Sequence, residues 1–419
     1  MSGYWPSRWP GEDGGPSRRQ IPLAGAGLDI QPGESLAAVS RDALAATMVV
    51  LRDPGEAYLL RHTAGDDAIS WVERFHPDTL EVIERSPDLP GGPTWPGGLA
   101  VHANGSLYVA FGRHAHRLAP DCSLLASREL PRAKPYNSFV ILPDGHLVMK
   151  DFGGPRRGEA PWGPDTEPSE LLVLEPESLD IVARLQLPEP SIARVSADGD
   201  DVYVVGDTSL LRVRWTGRDL VPDDGFTARY RTLPGQTYGW DAVIEAGAAW
   251  FLDNGNGSEG YIGTFRGQGV SSAPLHLVRV DLTTGAVSLT EICGLPNGII
   301  ANPPAVDPVR RVAVGYDSGN GVVAAFSFDE SGVTTPLWRR EMNHAAHPLR
   351  YADTGELLLG DHDASRSADQ MVVLDIETGA ERARVDTGSQ LQSVLFPAAG
   401  FGRDLYAVSL MTLTHITVV

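Results

Sequence analysis

The chain has 419 residues, 42% of them hydrophobic, with 46 glycines, 32 prolines and a formal net charge of −20. That apolar fraction excludes a disordered chain, and the acidic balance excludes nucleic acid as a partner, because phosphate contacts need a basic surface. Abundant glycine and proline without a collagen period suit many short strands joined by tight turns.

Lys134 and Lys150 are the only lysines, so the positive charge is almost all arginine. Cys122 and Cys293 stand far apart and form neither a disulfide framework nor a CxxC metal site. The first twenty residues lack the apolar core of a signal peptide, and no stretch reaches the ~18 apolar residues of a membrane-spanning helix. Cytoplasm is therefore the expected location, with no membrane partner.

Residues 1–40 are rich in Gly, Pro, Ser and charge and read as a mobile arm that holds at most one strand, within 19–31. From residue 41 to 419 one pattern repeats: an apolar strand, a turn with Gly or Asp, a second strand, then a looser hairpin. Its clearest copy is SFVILPDGHLVMKDFGG at 138–154, turning at Pro143-Asp144-Gly145. Related copies begin at 47, 98, 193, 242, 298, 348 and 393, and the first seven copies are each followed by a second hairpin. Four antiparallel strands repeating every ~40–55 residues are a propeller blade. The expected fold is all-β, an eight-bladed β-propeller in one domain, with seven blades as the alternative. The last copy lacks a fourth strand before Val419. A strand from the arm would complete it and protect both edges.

Aligning the inner strands on their turns gives one residue per blade where the chain enters the channel: Ala46, Gly97, Asn137, Ser191, Asp241, Asn297, His347 and Gln392. The second strand of each hairpin ends on the same face, at His62, His114, Asp151, Asp207, Asp253, Asp317 and the Asp361-His362-Asp363 cluster. His102 and His146 fall at the opposite face and are set aside. Carboxylate and amide oxygens suit calcium or magnesium, and the imidazoles of His62, His114, His347 and His362 suit zinc, iron or copper. The bland alternative is that these Asp and Asn side chains cap nearby backbone N–H groups. Trp95, Tyr136, Trp240 and His114 are placed to wall a substrate pocket, although aromatics at such positions also serve blade packing. Gly255 to Gly260 spells GxGxxG, but no helix follows it, so a dinucleotide site is not expected.

PYNSFVILPDGHLVMKDFG and LPNGIIANP resemble segments of the senescence-marker/gluconolactonase and strictosidine-synthase-like propellers. That resemblance implies a divalent cation at the channel mouth and hydrolysis of lactones or esters. It assigns Asn137, Asp241 and Asn297 as metal ligands. Two departures stand against it: the family has six blades, and Ala46 occupies the place of its first-blade glutamate.

The expected function is therefore a metal-dependent hydrolase acting on a small-molecule lactone or ester, with His347 or His362 as general base backed by Asp361 or Asp317. A lyase or oxygenase with a histidine-bound transition metal is the second reading. A non-catalytic propeller that binds a ligand or a protein is the third.

Overall fold

The computed structural model describes residues 3–154, 166–226 and 228–419, with every side chain among them except that of Asn137. Eight antiparallel sheets radiate around a channel, forming an eight-bladed β-propeller. The innermost strands are Ala46–Leu51, Gly98–Val101, Tyr136–Ile141, Ser196–Asp198, Val243–Glu245, Ala305–Asp307, Leu349–Tyr351 and Ala398–Ala399. Among the described residues the only helices are the single 3₁₀ turns Glu12–Gly14 and Ser258–Gly260.

Burial follows position within a blade. Inner strands such as Ala46–Leu51 and Gly98–Val101 are buried at every residue, because neighbouring blades cover both faces. The outermost strand of the third blade, Ile181–Gln186, alternates between half-buried and exposed residues, the period of a sheet with one wet face. Tight hairpin turns use glycine where the chain must turn through positive φ, as at Gly145 (φ +93°). Strand Leu36–Asp42 supplies the outer edge of the last blade by pairing with Thr412–Val418, from Leu36 opposite Val418 to Asp42 opposite Thr412. The first and last blades are thus tied by one continuous segment, and their inner strands pack together.

The segment read as a mobile arm is packed against the channel. Inner strands leave unpaired backbone groups facing the axis, and buried groups of that kind need partners. Residues 3–20 supply them. Trp9 and Pro10 carbonyls accept from the N–H groups of Leu51 and Val101 in the first two blades. Pro16, Ser17 and Gln20 carbonyls accept from Ala197, Ile244 and Arg350 in the fourth, fifth and seventh. Residues 3–20 thus form a plug at one end of the channel, the lower face, where His102 makes an isolated β-bridge with Tyr4. Trp9 and Arg18 are among the largest fully buried side chains of the molecule.

Candidate functional site

The plug reaches the axis through three charged side chains. Arg18 donates to Glu12 (2.7 Å), Asp13 (3.0 Å) and the Ser138 hydroxyl (2.6 Å). Glu12 continues the network to Arg194, and Asp13 accepts from His347 Nδ1 at 2.9 Å. Burial opposes ionisation of Asp13, but His347 and Arg18 prevail and hold its carboxyl below the usual range. Arg194 in turn approaches Asp241 at 3.7 Å, donates to the Pro96 carbonyl at 3.0 Å and stacks its guanidinium on Phe396 at 4.7 Å.

Arg194, Asp241, His347 and Phe396 share one position: each stands two residues before the inner strand of its blade. They form a septum across the channel, with the plug below and a cavity of about 460 Å³ above. The cavity lies at the end where inner strands begin. Trp95, Trp240, Phe265 and Phe396 wall it, Leu391 and Val394 add aliphatic surface, and Arg194 floors it. Trp95 packs at a 30° tilt against Phe152 (4.2 Å between ring centres) and lies nearly parallel to Trp240 at 6.3 Å. A Cβ at Gly255 would stand 2.4 Å from the Trp240 indole, so the glycine of the GxGxxG-like run is there to admit that ring.

The structure separates the expected metal ligands. Asp241 is fully buried, but one carboxylate oxygen accepts the Arg194 N–H at 2.6 Å and the other faces that residue's guanidinium. Asn297 is exposed in a left-handed turn (φ +62°), away from the buried septum. The side chain of Asn137 lies outside the described residues. Among the described residues, no three His, Cys, Asp or Glu side chains gather in metal-ligating geometry. Among the described residues, the positive charge that Asp241 meets is a guanidinium.

The expected acid–base group is dispersed as well. Asp317 accepts from the Asn320 N–H (3.0 Å) and amide (2.7 Å), an Asx-type cap. Asp361 accepts from Asn343 N–H and Arg384, both at 2.8 Å. His362 lies 4.0 Å from Asp369, and burial holds its imidazole below the usual value. His347 is committed to Asp13 beneath the septum. The histidines do not assemble either: His114 belongs to a separate cleft with Asp66, Asp67 and Arg113, and His62 to the cavity. Of the four expected pocket residues, Trp95 and Trp240 line the cavity. Tyr136 is fully buried blade packing.

Asp151 and Asp253 act as strand-end caps: Asp151 accepts from Glu170 N–H, and Asp253 accepts from His276 N–H, both at 2.6 Å. Lys150, buried beside the septum, donates to the Ser191 (2.8 Å) and Asp151 (3.1 Å) carbonyls. Burial pushes its ammonium down to about 7, against Asp151 and Asp241. From about pH 7 to the ordinary lysine value the unfolded chain then binds a proton that the folded chain does not, so folding stability rises with pH there. Urea unfolding of wild type and Lys150→Met is expected to show wild type gaining about 1 kcal/mol per pH unit on the variant between pH 7 and 9.5. A pH-independent difference would mean that Lys150 stays charged.

No protein-family model matches the sequence, and no curated protein matches it. Solved structures do. A quinohemoprotein alcohol dehydrogenase of Pseudomonas putida HK5 superposes with a TM-score of 0.62 at 10% identity, over 99% of this chain and 80% of that one. BamB from Moraxella catarrhalis superposes with a TM-score of 0.56 at 13% identity, over 91% of this chain and 99% of that one. The computationally designed Ika8 protein gives 0.55 at 11% identity, over 91% and 99%. At these identities the likeness places the chain among β-propellers by fold alone.

Proposed function

We propose that the protein binds a small, largely apolar molecule in the upper cavity. The observation that carries this reading is the cavity itself. Its volume lies within the ~300–1,000 Å³ range of small-molecule sites, and its wall is mostly aromatic and aliphatic, with Arg194 at the floor and Glu259 as the other charged group. Two expected pocket residues, Trp95 and Trp240, form part of that wall. Metal-dependent lactone or ester hydrolysis has less to support it, since Asp241 faces a guanidinium and Asn297 stands apart. The dehydrogenases that share the fold carry no activity across, because propellers host enzymes and binding proteins alike.

The neutral fluorophore N-phenyl-1-naphthylamine tests the reading. Its emission is expected to rise with wild type, and Ala301→Trp, which puts an indole into the cavity from its wall, is expected to remove at least nine-tenths of the rise. His102→Ala, on the lower face, is expected to leave it unchanged. Equal enhancement by wild type and Ala301→Trp overturns cavity binding. Turnover of an ester or lactone by the purified protein, lost in Ala301→Trp, would restore the hydrolase reading on this same cavity.

A further inference from the structure

We infer that the ligand of the upper cavity is an organic amine, bound as its ammonium ion with an apolar or aromatic body. The inference rests on the cavity-binding reading above and concerns the polar atoms set into that apolar wall. Four of them are buried without a hydrogen-bond partner among the described residues: His62 Nε2, Trp240 Nε1, Ser258 Oγ and Glu259 Oε2. His62, Trp240 and Ser258 are each more than nine-tenths buried. Native proteins rarely leave such atoms unpaired, because each costs about 1–3 kcal/mol, so four around one cavity describe the polar face of what fills it.

Their chemistry is specific. His62 Nδ1 lies 2.7 Å from the Thr63 carbonyl and so holds the ring proton, which leaves Nε2 as an acceptor. Burial holds the imidazole below its usual value and therefore neutral. The Glu259 carboxylate is a second acceptor, and a charged one. Arg194, the other charged group of the wall, is engaged by Glu12 and lies close to Asp241. Glu259 forms no ion pair among the described residues. The cavity wall thus holds an uncompensated carboxylate, a neutral nitrogen acceptor and a hydroxyl, a set whose chemistry suits a ligand N–H. Trp240 Nε1–H awaits an acceptor elsewhere on the ligand. The acidic protein as a whole draws cations in.

The test compares two probes of one shape, 4-fluorophenethylamine and 2-(4-fluorophenyl)ethanol, by ¹⁹F line-broadening titration on the full chain. Wild type is expected to bind the amine at least tenfold more tightly than the alcohol. Glu259→Gln is expected to bring the two within about twofold while leaving the alcohol's affinity unchanged. Ala301→Trp is expected to block both. If the alcohol binds in the cavity and the amine binds no better, the ammonium inference falls and cavity binding stands. A preference that survives Glu259→Gln overturns the role given to that carboxylate. If neither probe binds, the cavity reading falls and this one with it.

Discussion

Removal of residues 1–21 is expected to abolish cooperative unfolding of the propeller, although the closing strand Leu36–Asp42 remains in the chain. The truncated protein would lose backbone acceptors for inner strands of five blades and the buried Trp9, Glu12, Asp13 and Arg18. Truncating one large buried aromatic costs about 3–5 kcal/mol, and leaving a buried charge unpaired costs a similar amount. Arg194 and His347 would both lose plug partners at once. Against a typical total stability of 5–15 kcal/mol, these losses are decisive. Circular dichroism melts of wild type, the truncation and Trp9→Ala check this. Trp9→Ala is expected to stay folded with a urea midpoint lowered by about 3–5 kcal/mol equivalents. If the truncation melts like wild type, the plug contributes nothing to the ring.

The blades were legible because their signals are local. Each hairpin carries its own apolar run and turn, so SFVILPDGHLVMKDFGG declares itself without reference to any other blade. The plug was not legible for the opposite reason. Its composition reads as coil, and its partners are backbone N–H groups from Leu51 to Arg350, which no side-chain pattern reveals. The septum was half legible. Asp241 and His347 stood out as polar residues at strand starts, but the loops that feed inner strands differ in length. Aligning on the turns therefore paired them with Ser191 and Gln392. The equivalent residues are Arg194 and Phe396, two positions before their strands. That shift hid the guanidinium and left Asp241 looking like an uncompensated carboxylate. The strand-end aspartates Asp151, Asp253 and Asp317 recur for a structural reason: each accepts backbone N–H bonds where a strand leaves its blade. Glu259 and Ser258 carried no signal beyond lying in a glycine-rich loop.

Arg194→Met is expected to destabilise the protein by about 3–5 kcal/mol, because it leaves buried Glu12 and Asp241 without the guanidinium between them. It also removes the hydrogen bond to Pro96 and the stacking on Phe396. Asp241→Asn alone is expected to cost less, of order 2 kcal/mol, since asparagine retains an oxygen for the Arg194 N–H and gives up only the charge. Combining the two substitutions is expected to return part of the loss, because the carboxylate that Arg194→Met strands is then neutral. The shortfall from additivity measures the pair and is expected to exceed about 1 kcal/mol. Strict additivity would mean that the 3.7 Å approach carries no energy. The same series decides between guanidinium and metal on the axis. With the guanidinium as the cation that Asp241 meets, urea midpoints of wild type and of Asp241→Asn are each expected to be equal in chelator and in added calcium. A calcium-dependent gain in wild type that disappears in Asp241→Asn would instead return the carboxylate to the role of metal ligand.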